Sequence, residues 1–485
     1  MKKEQYEEMD RIFHPCNVAV IGASPVADIA TLALMNTKIR DRVYFVNPKY
    51  TEIFGRKCHS SILDVQEPID YVVLVINAAM VPKVIGECIQ KGVKAGHIYT
   101  SGFSETGLPE AIELEKQLKE VAKGKISLIG PNCFGVYCPR SGLAIVPESS
   151  QEEGSVGVIA QSGSVAESFC YYGKTKNLRF SKVISYGNAA DLDCPDFLEY
   201  LADDPQTRVI ALYIEGSRDG VRLKQALSYA AKKKPVIAVK GGLTESGKRV
   251  ATSHTAQLTG RPEVWKSLFK QCGVVQVNNH DELVNAVMAF SHSPLPKGNG
   301  VSIMSNSGGF SVIQTDLCAA EGIEVPKFSD ETIQQLRKLV PLAGTSIGNP
   351  LDAWPVFSKI YEKEGSLADI IRIVASDSKI NMLVVQFDQF RYIRRVLKHE
   401  AGKHMKTLID VLLKGCEHCR DVIGKPVFLC VVLDPYSEDD EDRANNLMMK
   451  RVFEQKGFPV YPALDATVKA LSSLYRYTQL HAHKR

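Results

Sequence analysis

His254 and Glu215 are the two residues whose types and setting most directly suggest chemistry. His254 lies in the polar stretch 241–260, which contains four glycines and follows an apolar strand expected over 236–239. A helical pattern resumes from Glu263, so the stretch between reads as a long loop of the kind that often carries function. Imidazole changes charge near neutrality, and a carboxylate accepting from one ring nitrogen leaves the other available as a nucleophile. Glu215 ends the apolar run 209–214, one strand-helix-strand unit before the histidine stretch. That spacing is expected to bring it to the sheet edge from which the stretch springs. A solvated histidine and an ordinary strand-end glutamate are the competing readings.

Two other segments favour work on an anion. At 158–165 and again at 302–310 an apolar strand enters a Ser/Gly turn and then a helix. The candidate phosphate-binding residues are Ser162, Gly163 and Ser164 in the first turn and Ser307, Gly308 and Gly309 in the second. Unpaired amides and the positive end of a helix dipole at such joints suit phosphate. In the first third of the chain, loops at expected strand ends carry Gly22, Ala23, Ser24 and Pro25, then Lys49, Asn77, Ser101, Gly102, Asn132 and Cys133. Open α/β sheets bind ligands along that edge. No further glycine follows Gly22 in the spacing of a dinucleotide fingerprint, which disfavours a nicotinamide cofactor.

The elements that must position these groups alternate from end to end. Short apolar runs at 18–21, 44–46, 71–76, 97–99 and 126–129 are separated by helical patterns such as 108–122, the mark of a parallel sheet with helical crossovers. Two further series follow, giving three α/β domains at 8–147, 152–292 and 298–485, with linker-like text at 147–154 and 291–300. A net charge of +4 among 59 basic and 55 acidic residues gives no footprint for nucleic acid. The amino terminus has no signal-peptide core and the apolar runs are too short to span a bilayer, so a cytoplasmic chain without membrane contact is expected. The 12 dispersed cysteines suit buried thiols in a reducing compartment. Cys416 and Cys419 flank His418 at zinc-like spacing but lack a second ligand pair, and no metal site is assigned.

Taken in order, Val20-Ile21-Gly22-Ala23-Ser24, Ile129-Gly130-Pro131-Asn132-Cys133, Ala160-Gln161-Ser162-Gly163, Tyr213-Ile214-Glu215-Gly216, Ser253-His254-Thr255-Ala256 and Ser305-Asn306-Ser307-Gly308-Gly309 resemble the α subunit of ADP-forming acyl-CoA synthetases. These are the acetate–CoA ligases of the succinyl-CoA synthetase superfamily. The resemblance spans nearly the whole chain. It implies a Rossmann-like CoA-binding domain followed by two flavodoxin-like parallel-sheet domains. It further implies that His254 is phosphorylated and stabilised by Glu215, and that acyl-CoA, carboxylic acid and phosphate are the ligands. Asp28, after the first turn, and Ala256-Gln257, after the histidine, depart from the family pattern. No P-loop or ATP-grasp segment is legible, so ADP/ATP and Mg²⁺ are expected on a partner β subunit carrying the ATP-grasp domain. A CoA-binding scaffold without turnover and an acyl or carbamoyl transferase on the same fold are the alternatives.

Overall fold

A computed structural model describes residues 2–26, 29–255, 260–305, 308–341, 345–352, 366–387, 401–431 and 440–482. Asp28, Ala256, Gln257 and Ser307 lie outside these, as do the side chains of Thr252 to Thr255, including that of His254. The chain divides into two compact units, residues 1–287 and 288–485.

The first unit holds two sheets. In the first, strands β1 (Val18–Ile21), β2 (Val43–Val46), β3 (Glu52–Ile53), β4 (Arg56–His59), β5 (Tyr71–Leu74), β6 (Ala95–Ile98) and β7 (Ser127–Ile129) are ordered β3-β4-β2-β1-β5-β6-β7. All pairings are parallel except the β3–β4 hairpin. Every residue of β1 and β5 is buried, which is why these strands read as continuous apolar runs rather than alternating ones.

The second sheet is built from β8 (Gly135–Tyr137), β9 (Glu153–Ala160), β10 (Phe180–Ser185), β11 (Val209–Ile214), β12 (Val236–Lys240) and β13 (Val275–Val277), in the order β13-β12-β11-β9-β10-β8. Its strands are parallel apart from β8, which runs antiparallel along β10 with Val183 opposite Tyr137. Strand β8 precedes the expected linker at 147–154, yet it forms the edge of the sheet that follows.

The amino-terminal helix Lys3–Phe13 makes a second tie between the two halves of this unit. Tyr6 and Phe13 stack on Tyr200 of the helix Cys194–Asp203, at ring-centre distances of 5.2 and 4.6 Å, and the Tyr200 hydroxyl donates to Asp10 at 2.7 Å. Beneath them Lys182 and Asp204 form a buried ion pair at 2.9 Å, with the Thr207 hydroxyl also donating to Asp204. Such a pair is tolerated because extra hydrogen bonds satisfy the charges taken from water.

The second unit carries the third sheet, with β14 (Val301–Ser305), β15 (Ser346–Ile347), β16 (Leu351–Asp352), β17 (Met382–Phe387), β18 (Val427–Val431) and β19 (Val460–Tyr461) in the order β15-β16-β14-β17-β18-β19. Only β15 is antiparallel to its neighbour. All three sheets are therefore mostly parallel and flanked by helices, the α/β class expected. Cys416 and Cys419 are buried in the core of this unit, and among the described residues no group of His, Cys, Asp and Glu could hold a metal ion. No helix among the described residues is long and apolar enough to cross a membrane.

Candidate active site

In the second sheet β9 lies between β10 and β11, so successive crossovers leave it in opposite directions and open a crevice at its carboxyl end. The turn after β9 faces into a cleft of about 250 Å³, where the carboxyl edges of the first two sheets meet. Gln161, Ser162, Gly163, Ser164, Gly187 and Asn188 come from the second sheet, and Tyr99, Ser101, Asn132, Cys133 and Phe134 from the first. Six of the expected ligand-binding residues are thus brought together: Ser162, Gly163, Ser164, Ser101, Asn132 and Cys133.

The helix Gly163–Thr175 begins at the cleft, and its cap residue Ser162 makes no side-chain capping bond. Instead the Ser162 and Ser164 hydroxyls lie 3.0 Å apart. The first amides of this helix and the positive end of its dipole lie at the cleft, a setting that favours negative charge. A Cβ on Gly163 would stand 3.3 Å from the Phe134 ring, so this residue must be small for the turn to pass the aromatic wall. Phe134 stacks on Tyr99 at 5.2 Å and 2°. Cys133 is buried, and burial pushes its thiol up to about 12, which makes it a packing residue rather than a nucleophile.

Asn188, on the floor of the cleft, joins its two sides. Its amide donates to Glu105 at 2.5 Å and to Glu115 at 3.2 Å, while Arg218 donates to the Asn188 carbonyl at 2.7 Å and to Glu115 at 3.2 Å. Glu105 in turn accepts from the Gly102 amide at 2.5 Å and the Phe103 amide at 3.1 Å. Burial alone would raise the Glu115 carboxyl, but Ser104, Lys119 and Arg218 together hold it below the usual carboxylate range. The loop carrying Ser101 and Gly102 is therefore anchored to the second sheet by charge-assisted bonds.

Glu215 sits where the run 209–214 ends, as expected, and is 5% exposed. The Gln161 side-chain oxygen accepts from the amides of Glu215 and Gly216 at 2.8 and 3.2 Å, and the Tyr213 hydroxyl donates to the Glu215 carboxylate at 3.1 Å. Ile214 pairs with Lys240, which puts the start of the histidine segment beside Glu215; a Cβ on Gly241 would come within 3.2 Å of Glu215 Cγ. Lys240 is also buried, donates to the Glu215 carbonyl at 2.7 Å and to the Gly241 carbonyl, and lies 4.9 Å from the centre of the Trp265 ring.

Burial pushes Lys240 down to about 8, against the pull of Glu215. Its folded value lies below the ordinary value of about 10.4, so the unfolded chain binds more protons between these two. Lys240 therefore adds stability as pH rises from about 8 towards 9.5, and Lys240→Met should lose that rise. The check is the difference in denaturation midpoint between wild type and variant across this window, in which thiol titrations common to both cancel. Lys234, also pushed to about 8 by burial, acts equally in both chains.

The stretch 241–260 is not a loop throughout. Residues Glu245–Thr255 form a helix that includes the His254 backbone. Thr244 caps it by accepting the Gly247 amide at 3.0 Å, and Lys248 pairs with Glu245 at 2.6 Å. Its Ala251 is buried against Gly242, and the helix runs alongside the turn Ser104–Thr106 that carries Glu105.

The other expected residues of the first unit are not part of the cleft lining. Gly22 turns the chain after β1 with φ +94°. Ala23 is buried with its carbonyl accepting from Asn47, Ser24 closes a local turn with Val26, and Pro25 and Lys49 are exposed. Asn77 caps a short turn after β5. These six follow the carboxyl ends of β1, β2 and β5, the region of the first sheet where the crossovers diverge. In the second unit, Gly308 and Gly309 open the helix Gly308–Ala320, and a Cβ on Gly308 would stand 3.5 Å from an Asp352 carboxylate oxygen.

Sequence reasoning had not singled out Gln161, Lys240, Arg218, Glu105 or the Tyr99–Phe134 stack. Gln161 stood inside a quoted motif, but its partners are 54 and 55 positions away. Only the adjacency of β9 and β11 reveals them.

Residues 17–139 match the family model described as a CoA binding domain, and residues 153–290 match that of a succinyl-CoA ligase like flavodoxin domain. The chain is 32% identical to the acetate–CoA ligase (ADP-forming) I subunit alpha of Pyrococcus furiosus over 98% of its own length and 99% of the relative's. It is 41% identical to the acetate–CoA ligase (ADP-forming) of Methanocaldococcus jannaschii over 71% of its length, and this match spans about half (49%) of that enzyme. Among solved structures, the dinucleotide forming acetyl-coenzyme A synthetase 1 of Ca. Korarchaeum cryptofilum, in complex with phosphate and ADP, superposes with a TM-score of 0.81. The match has 28% identity and covers 98% of both chains.

Proposed function

The chain belongs to the ADP-forming acetate–CoA ligase family, and from that premise we propose that it is the α subunit of an ADP-forming acyl-CoA synthetase. The reaction is acyl-CoA + ADP + phosphate ⇌ carboxylic acid + CoA + ATP. A phosphate oxygen attacks the thioester carbonyl carbon, the C–S bond breaks, and the CoA thiolate leaves with the proton given up by phosphate. A nitrogen of His254 then attacks phosphorus of the acyl phosphate, and the carboxylate departs with the bridging oxygen. Transfer from His254 to the terminal oxygen of ADP forms ATP and restores the imidazole.

The observation that carries this reading is the cleft itself. It sets the helix start at Ser162, Gly163 and Ser164 against Ser101 and Asn132 of the CoA-binding half, beside the strand end bearing Glu215. Phosphoryl transfer depends on positioning and charge stabilisation more than on covalent machinery, and a helix start within a cleft supplies both. The carboxyl-edge groups of the first sheet fit CoA: a turn without a side chain at Gly22, an exposed ammonium at Lys49, and Asn77 and Gly102 along the same edge. CoA bound there supplies the thiol that carries the acyl group. Gly308 and Gly309 would serve the phosphoryl group in a second position, with Ser307 between β14 and that helix. ADP and Mg²⁺ are assigned to an ATP-grasp domain on a β subunit, a reading supported by the end-to-end match to a relative named as an α subunit.

The test is to incubate the chain with acetyl-CoA and ³²P-phosphate. Released thiol and an acid-labile, base-stable label on the protein are expected, with the label passing to ADP only when the nucleotide-binding partner is added. A wild-type chain that releases no CoA and takes up no label would sink the proposal.

A further inference from the structure

Gln161 carries more than the turn it occupies. Its side-chain oxygen accepts from two backbone amides, those of Glu215 and Gly216. Only the oxygen of a primary amide can do that, so the same two bonds fix which end of the side chain is which and leave Nε2 on the opposite side. Gln161 is 1% exposed, lines the cleft, and among the described residues its Nε2 has no hydrogen-bond partner. A buried amide donor left unpaired is costly, and one on a residue that lines a cleft can be completed by an acceptor bound there.

Position narrows the ligand. Nε2 offers only N–H donors, so its partner is an oxygen acceptor rather than a cation. Gln161 comes two residues before the first residue of the helix Gly163–Thr175, whose positive end selects negative charge. The Ser162 and Ser164 hydroxyls stand at the same helix start.

We propose that Gln161 is a phosphate-binding and positioning residue: its Nε2 donates to an oxygen of the phosphoryl group held at the Ser162–Ser164 helix start, while its Oε1 clamps the backbone of Glu215. This deepens the acyl phosphate reading and rests on it for the chemistry, although not for the binding. One planar amide then spans phosphate and the backbone that carries the Glu215 carboxylate. Binding at one end fixes the register of the other.

The experiment is a titration of the chain with inorganic phosphate followed by ³¹P line broadening, in wild type, Gln161→Glu and Gln161→Met, with thermal melts on each. Gln161→Glu keeps an acceptor for the two amides and loses the donor; Gln161→Met loses both without adding charge. Loss of a hydrogen bond to a charged group should weaken phosphate binding roughly 10- to 100-fold in each variant. A merely structural glutamine would instead lower the melting point of Gln161→Met and leave phosphate affinity unchanged. Either variant binding phosphate as tightly as wild type, or a wild type that binds none, overturns the assignment. If binding depends on Gln161 but acetyl-CoA and phosphate release no thiol, the synthetase reading falls while the phosphate site stands.

Discussion

Alanine at position 254 should reduce acid-labile labelling from acetyl-CoA and ³²P-phosphate to background, a loss on the order of 10³-fold or more. The side chain is the proposed covalent carrier, and no neighbouring group in the helix Glu245–Thr255 can take its place: its other side chains are hydroxyls, methyls, one glutamate, one lysine and one arginine. His280, another histidine of this unit, is already bonded to the Ser168 hydroxyl at 2.8 Å. The diagnostic split is between half-reactions. Thiol release should survive in His254→Ala, because in the proposed order phosphate attacks the thioester before the histidine is needed, and acyl phosphate should accumulate. Loss of both signals together would mean that His254 supports binding or folding instead. Glu215→Gln gives the graded comparison. It keeps the shape of a buried side chain but removes the charge that favours an electron-rich imidazole, so labelling should drop by roughly 10- to 100-fold without disappearing.

Gly22→Ala should abolish CoA binding and strongly destabilise the first sheet. The residue has φ +94°, and a Cβ would overlap the Val75 carbonyl and reach within 2.8 Å of Ile76 Cγ2. The obstacle is backbone of the neighbouring strand end, which cannot rotate away, so β1 and β5 must separate. A cost of more than about 3 kcal/mol follows from overpacking added to backbone strain. Gly55→Ala is the control, since Gly55 has φ +71° with nothing within 4 Å of its would-be Cβ. It should cost only about 1 kcal/mol. Calorimetric titration with CoA and chemical denaturation of the two variants separate the steric part from the conformational part. Equal effects would remove the close approach at Gly22 as the cause.

The sheets were legible because burial on both faces leaves a plain trace. The run 209–214 is apolar at every position and forms β11 over the same residues, with Glu215 at its end where expected. The helix at 245–255 escaped notice because its residues are polar and Gly247 interrupts the pattern. Its start signal was nevertheless present: Thr244 followed by Glu245 is a capping residue with an acid in the first turn. The cleft was half legible. Ser162, Gly163, Ser164, Ser101, Asn132 and Cys133 each follow a strand, and strand ends can be counted. The Tyr99–Phe134 stack, the Asn188–Glu105 bond and the clamp of Gln161 on Glu215 depend on which strands are neighbours. Strand order is a tertiary property that local pattern does not carry.

Strand β8 sets a rule for dividing this protein. A fragment beginning at 152 would lack the antiparallel partner of β10 and expose its amides and carbonyls as a bare edge, a template for pairing with other chains. It would also lose Tyr6, Phe13 and Asp10 from the face of Tyr200. Limited proteolysis in the tract 147–154 should therefore nick the chain without releasing the halves, which would stay together through a gel-filtration column. The two sheets thus form one heritable piece, and recombination that cuts between them leaves an adhesive edge.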